Sequence, residues 1–278
     1  MGDVFVAASA DVSAVFTNPA TLSTLDSSEL SATFFKHVLD INGGTVAYAN
    51  QLSEFGVRDN GTVALTANYI NYGRIDRTDR NGRVVGSVAS FDIALSAAYS
   101  NALDTNWYYG VAFKYITSRI DNVGTAAVAT DVGMVYVIPK ARVILGVSVL
   151  NAGVQVASIG AQPESVPMDV RLGISHQLRG LPLLVSASLN HLADPAAAVW
   201  DRFLNFSLGG ELSIAKVVLL RVGYENQRRR ELAPDVQPRL SGLSGGVGIV
   251  LNELRVDYAL SSYGTIGALH RFAFSLRL

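Results

Sequence analysis

The chain contains no cysteine, few charged residues and no long hydrophobic run. Without cysteine, disulfide scaffolds, thiolate zinc sites and thiol catalysis are excluded. Charged residues make up 16 % of the 278 residues, below the roughly 25 % of soluble domains. The 22 lysines and arginines nearly balance the 23 aspartates and glutamates, which argues against a nucleic-acid partner, because phosphate recognition needs a basic surface. The longest apolar runs, such as 217–220, last four or five residues, far short of the ~20 that a membrane helix needs. Met1–Ala8 shows no basic segment followed by an apolar one, so no secretory leader is visible and a leader missing upstream is the expectation. Yet hydrophobic residues make up 49 %, and the mean hydropathy is +0.29. Disorder is excluded by that content.

The apolar residues recur at every second position. Trp107, Tyr109, Val111, Phe113 and Tyr115 oppose Tyr108, Gly110, Ala112, Lys114 and Ile116. Leu254, Val256, Tyr258 and Leu260 oppose Arg255, Asp257, Ala259 and Ser261. This is the period of a strand with one large apolar face and one small or polar face. It predicts strands over 29–37, 43–51, 62–74, 86–101, 107–120, 124–138, 141–152, 166–178, 182–193, 203–213, 216–226, 240–251, 253–262 and 268–278. Most exceed the ~5–6 residues of ordinary strands and suit the ~9–11 of tilted membrane strands. Connections alternate short (102–106, 139–140, 179–181, 214–215, 252) and long (75–85, 153–165, 194–202, 227–239, 263–267). Outer-membrane barrels sort their loops this way, and soluble sandwiches have no reason to. The connection at 52–61 is the exception.

The fold expected is therefore all-β: a transmembrane antiparallel up-and-down β-barrel of about fourteen strands at 29–278, in the bacterial outer membrane. The large residues face lipid, and Tyr69, Tyr99, Trp107, Tyr109, Tyr224 and Tyr258 suit aromatic girdles. Residues 1–28 form an N-terminal segment, either a plug within or beneath the barrel or a periplasmic tail, with Asp11–Ala20 reading as a helical turn ending in Asn-Pro.

Little in the chain suggests catalysis. His37, His176, His191 and His270 are dispersed without metal-ligand spacing, so no metal or cofactor is expected. Gly242–Gly246 resembles a nucleophile elbow, but no helix follows it. More informative are the charges on the small faces: Asp92, Lys114, Asp131, Arg171, Glu211, Arg221, Arg255 and Asp257, with Arg277 near the end. They point into the lumen, with Lys114 beside Asp131 and Glu211 beside Arg221, as structural pairs or a permeation path. Arg228, Arg229, Arg230 and Glu231 fall in one long extracellular loop, and Arg74, Arg77, Arg80 and Arg83, interleaved with Asp76 and Asp79, fall in another, as solvated charge or as contacts to an acidic partner or to lipopolysaccharide phosphates.

Several tracts together carry a resemblance. They are Ala10–Ala20, Gly44–Ala49, Asn71-Tyr72-Gly73 with Arg77-Thr78-Asp79 and Gly82, Arg228–Leu232, Asp257-Tyr258, Ser262-Tyr263, Gly267 and His270-Arg271-Phe272. In these the chain resembles the PorQ family of the type IX secretion system, within the wider PorV/PorQ and fatty-acid-transporter-like barrel group. The resemblance implies a fourteen-stranded outer-membrane barrel without catalytic residues. It also implies an anchor for a PorZ-like surface protein, in an attachment complex with PorU and PorV. The alternative is a fatty-acid-transporter-like channel for small hydrophobic molecules. The chain ends in Leu278, where many such barrels end in an aromatic residue.

Overall fold

In lipid, every backbone N–H and C=O needs a partner within the protein, and a sheet meets that demand by closing on itself. Here fourteen antiparallel strands close. The computed structural model describes residues 4–7, 11–37, 40–57, 59–158, 166–195, 199–232 and 240–278. The strands are β1 (Glu29–Lys36), β2 (Asn42–Gln51), β3 (Thr62–Thr78), β4 (Val84–Ala102), β5 (Trp107–Ile120), β6 (Val123–Ile138), β7 (Val143–Ala157), β8 (Asp169–Gln177), β9 (Leu183–Leu189), β10 (Phe206–Ile214), β11 (Val218–Glu225), β12 (Leu243–Leu251), β13 (Leu254–Ser262) and β14 (Ala268–Arg277). Each pairs with its sequence neighbour. The seam joins β14 to β1, from Glu29 opposite Arg277 to Lys36 opposite His270. No edge remains.

The alternation decides the two faces. Leu65, Phe113 and Val222 are each more than 60 % exposed, and in an outer-membrane barrel that exposure is to lipid. Ser31, Ser100, Ser148 and Ser207 alternate with such residues and are buried inside. Trp107 stacks on Tyr136, and Tyr99 meets Tyr109 edge-on, both pairs on the outer face.

Three strands depart by four or more residues from the ends read by alternation, each at a kink. β3 continues past 74 because its register with β4 shifts between Asn71 and Arg74, where Gly73 has φ +78°. β7 runs to Ala157 through a bulge opposite Asp131, with Asn151 left-handed at φ +57°. β9 stops at Leu189, just before left-handed His191. A bulge inverts the parity of the residues beyond it, so a simple period-two reading ends there. The described residues of the anomalous connection at 52–61 include a 3₁₀ turn at Leu52–Phe55. In it the Asp59 carboxylate accepts from Tyr99 Oη at 3.0 Å and from Asn101 Nδ2 at 2.8 Å.

The described N-terminal residues lie within the barrel, in the half nearer the short turns. They form 3₁₀ turns at Phe5–Ala7, Val12–Phe16 and Pro19–Thr24. Val12, Val15, Leu22 and Leu25 pack against the inward alanines Ala47, Ala49, Ala64, Ala98 and Ala112. Burying each valine or leucine contributes roughly 1.5–3 kcal/mol. Polar contacts fix the depth. Ser148 Oγ donates to Thr17 O at 2.7 Å, and Ser100 Oγ donates to Ala20 O at 3.1 Å. Asn18 is the central tie: its Oδ1 accepts from Ala20 N at 3.0 Å and its Nδ2 donates to Val6 O at 2.9 Å. The inner wall makes room for this segment with glycine. A Cβ on Gly110 would stand 2.4 Å from the backbone of Pro19 and Ala20, and one on Gly133 would stand 1.9 Å from Asn18 Oδ1.

Replacing Gly110 by leucine is therefore expected to expel the N-terminal segment while the sheet still closes. Limited proteolysis then trims the N-terminus of the variant faster than that of the wild type, with heat-modifiable gel mobility retained; equal protection contradicts the packing described.

Candidate functional site

Apart from Asp92 and Arg277, the inward charges expected from the sequence meet oppositely charged partners. On β5 and β6, Lys114 Nζ lies 2.6 Å from Asp131, whose side chain is fully buried. The other carboxylate oxygen of Asp131 accepts from Asn151 N at 2.7 Å, and Lys114 also donates to Asn151 Oδ1 at 3.0 Å. The carboxylate thus caps the bulge in β7 and neutralises a lysine together. The same device recurs on β8: Asp169 Oδ1 accepts from left-handed His191 N at 2.7 Å, and Asp169 Oδ2 receives Arg171 Nε at 2.6 Å. Asp92 accepts from Tyr72 Oη at 2.7 Å.

A longer chain of charges crosses β10, β11 and β13. Arg221 Nε donates to Glu211 at 2.6 Å, and its Nη1 pairs with Asp257. Asp257 in turn receives Arg255 Nε at 3.0 Å, and Arg255 Nη2 reaches Asp11 of the N-terminal segment at 2.7 Å. Arg221 gets past β12 because Gly248 stands between: a Cβ there would lie 2.3 Å from Asp257 Oδ1 and 3.3 Å from Arg221 Nη1. Small inward residues in this part of the wall are therefore a condition for cross-strand pairing. Arg277 sits exposed at the rim.

Both neighbour pairs expected from the sequence, Lys114 with Asp131 and Glu211 with Arg221, are present. Two partners lay outside that reading. Asp169 shares the parity of Arg171 and was legible on that ground. Asp11 gave no periodic signal, since it caps a 3₁₀ turn, accepting from Ser13 N at 2.8 Å.

At the opposite end, three loops are tied into a platform. Asn226–Leu232 forms a short helix, α1, where the alternation gave only a loop. Asn226 Nδ2 donates to Leu204 O at 2.9 Å, joining the β9–β10 and β11–β12 connections. Arg228 pairs with Glu225 at 2.7 Å and lies over the ring of Tyr263 at 4.7 Å, joining the β13–β14 connection. His37 meets the same tyrosine edge-on at 4.4 Å. On this platform Trp200 is 79 % exposed and packs beside Phe203. Arg229, Arg230 and Glu231 are exposed, with Glu231 accepting from Gln227 at 2.8 Å. Asp79 turns inward to its own hairpin, accepting from Asn81 N and Arg83 N, and exposed Arg77 approaches Asp121 only to 3.9 Å. Trp200 escaped the sequence reading because it lies between strand patterns, with no periodicity to mark it. Among the described residues no group of histidine, aspartate and glutamate is arranged to hold a metal ion.

Breaking a buried pair leaves a bare charge, which costs about 3–5 kcal/mol, whereas an exposed pair at the limit of contact is worth under ~1 kcal/mol. Asp131→Ala should therefore lower the urea midpoint of the barrel in vesicles clearly, and Arg77→Ala should leave it unchanged. Equal effects would count against the inward pairs as structural ties.

The whole architecture has solved counterparts. A deletion variant of the TodX monoaromatic hydrocarbon channel superposes with a TM-score of 0.68 at 12 % identity, over 97 % of this chain and 95 % of that one. A FadL homologue of Pseudomonas aeruginosa superposes with a TM-score of 0.56 at 13 % identity, over 98 % and 94 %. No family model matches the chain, and no curated protein does. The likeness is one of fold: this chain is a fourteen-stranded outer-membrane β-barrel with the architecture of FadL-like channels.

Proposed function

We propose that this barrel is a non-enzymatic outer-membrane component of a type IX secretion system. In this reading it anchors a PorZ-like surface protein within an attachment complex with PorU and PorV. The observation that carries the reading is the division of the molecule. Its lumen is occupied by the N-terminal segment and spanned by ion pairs, while its extracellular end presents a braced platform with an exposed tryptophan. A conduit for apolar molecules needs an apolar path, and the charges from Glu211 to Asp11 form a polar one. Tryptophan and arginine dominate the energetics of protein interfaces. Trp200, Arg229 and Arg230 are therefore the residues assigned to partner contact. Arg228 serves to brace the platform, as Asp79 braces its hairpin. The sequence resemblance to the PorQ family supports the same reading.

One observation favours a second reading, a channel for small hydrophobic molecules: the architecture shared with TodX and the FadL homologue. The two separate in one experiment. From gently solubilised membranes, the anchor co-purifies with the PorZ-like protein, and Trp200→Ala with Arg230→Glu weakens capture by roughly tenfold or more. Recovery of the barrel alone, with uptake of hydrophobic substrates lost on its deletion, overturns the anchor and supports the channel.

A further inference from the structure

The outward face of β3, β4 and β5 carries two features one above the other. Within the membrane belt is an apolar groove of about 600 Å³. Ala67 and Ala97 form its low points between the larger Leu65, Leu95, Phe113 and Tyr115. Farther along the same strands toward the long loops is a second depression of about 540 Å³, and it is polar. Arg74 on β3 and Arg119 on β5 flank Ala89 and Phe91 of β4 there. The register fixes this: Arg74 stands opposite Ala89, and Arg119 opposite Phe91. The bulge after Asn71 is what turns Arg74 outward, in step with Ala89. Both guanidinium groups are exposed, and neither has an ion-pair partner among the described residues. Arg77, next along the hairpin, approaches Asp121 at the margin of the same depression.

The spacing suits one class of ligand. Tyr115 and Arg119 are four residues apart on one strand, a rise of about 13 Å, comparable to half the ~30 Å hydrocarbon thickness. A groove that only lipid chains reach thus lies one leaflet-depth below two unpaired arginines. Arginine's planar fork matches phosphate oxygens. The long loops put this end outside the cell, so the leaflet concerned is the outer one. We propose that this face is a specific site for a phosphorylated outer-leaflet lipid of the lipid A class. Its acyl chains occupy the groove over Ala67 and Ala97, and its phosphate is held between Arg74 and Arg119.

Native mass spectrometry of the full chain, with bis-phosphorylated lipid A or its dephosphorylated form added in equal amounts, tests this. The wild type should keep the phosphorylated lipid after detergent is stripped. Arg74→Ala with Arg119→Ala should retain it about tenfold less, as expected for losing charged hydrogen bonds. Ala67→Leu, which fills the groove without touching the arginines, should also reduce retention. Heat-modifiable mobility reports that each variant is folded. Added inorganic phosphate should not displace the lipid, because the acyl contacts remain. Equal retention of the dephosphorylated lipid, unchanged retention by the folded double variant, or displacement by inorganic phosphate would each overturn the proposal.

Discussion

A sheet in lipid must pair every backbone group, and the other features of this barrel depend on that demand. Closure of β14 on β1 removes the edges. Closure also creates an inside, which must be filled or wetted, and an outside, which must be apolar. The sequence meets both with one repeating pattern, large residues outward and small or charged ones inward. Low charge and positive mean hydropathy without any hydrophobic segment are two views of the same alternation.

The inside is where this barrel becomes specific. One half is packed like a soluble core, with valines and leucines of the N-terminal segment against a wall of alanines and glycines. Beyond that core, charges are matched across strands. The two regions join at Arg255, which holds Asp257 on its own strand and Asp11 on the inserted segment. Asp131 and Asp169 add a second kind of tie. Each accepts from the N–H of a left-handed residue, Asn151 in β7 or His191 just past β9, while neutralising a cation. Such carboxylates hold a kink and a charge in place with one group.

Much of this was legible in the sequence, for a physical reason. Period-two alternation is local, so the number of strands and the inward charges could be read residue by residue. Lys114 with Asp131 and Glu211 with Arg221 needed only adjacency of neighbouring strands. Reading failed where the period breaks. The bulges at Asn71–Arg74 and at Asn151 hid the outer extensions of β3 and β7. Asp11 lies ahead of β1, and Trp200 and the helix at Asn226–Leu232 lie between strands, where no alternation marks them. Their roles are set by tertiary contacts: a salt bridge to Arg255, a platform edge and a carbonyl at Leu204.

Among the described residues, the N-terminal segment fills one half of the lumen and ion pairs brace it across the strands, an interior expected to be closed to ions. Single-channel recording in planar bilayers tests it most directly. The intact barrel is predicted to show no steady ion conductance across a wide voltage range. A stable conductance of the intact protein, of the size given by open barrels of similar strand number, would contradict the account.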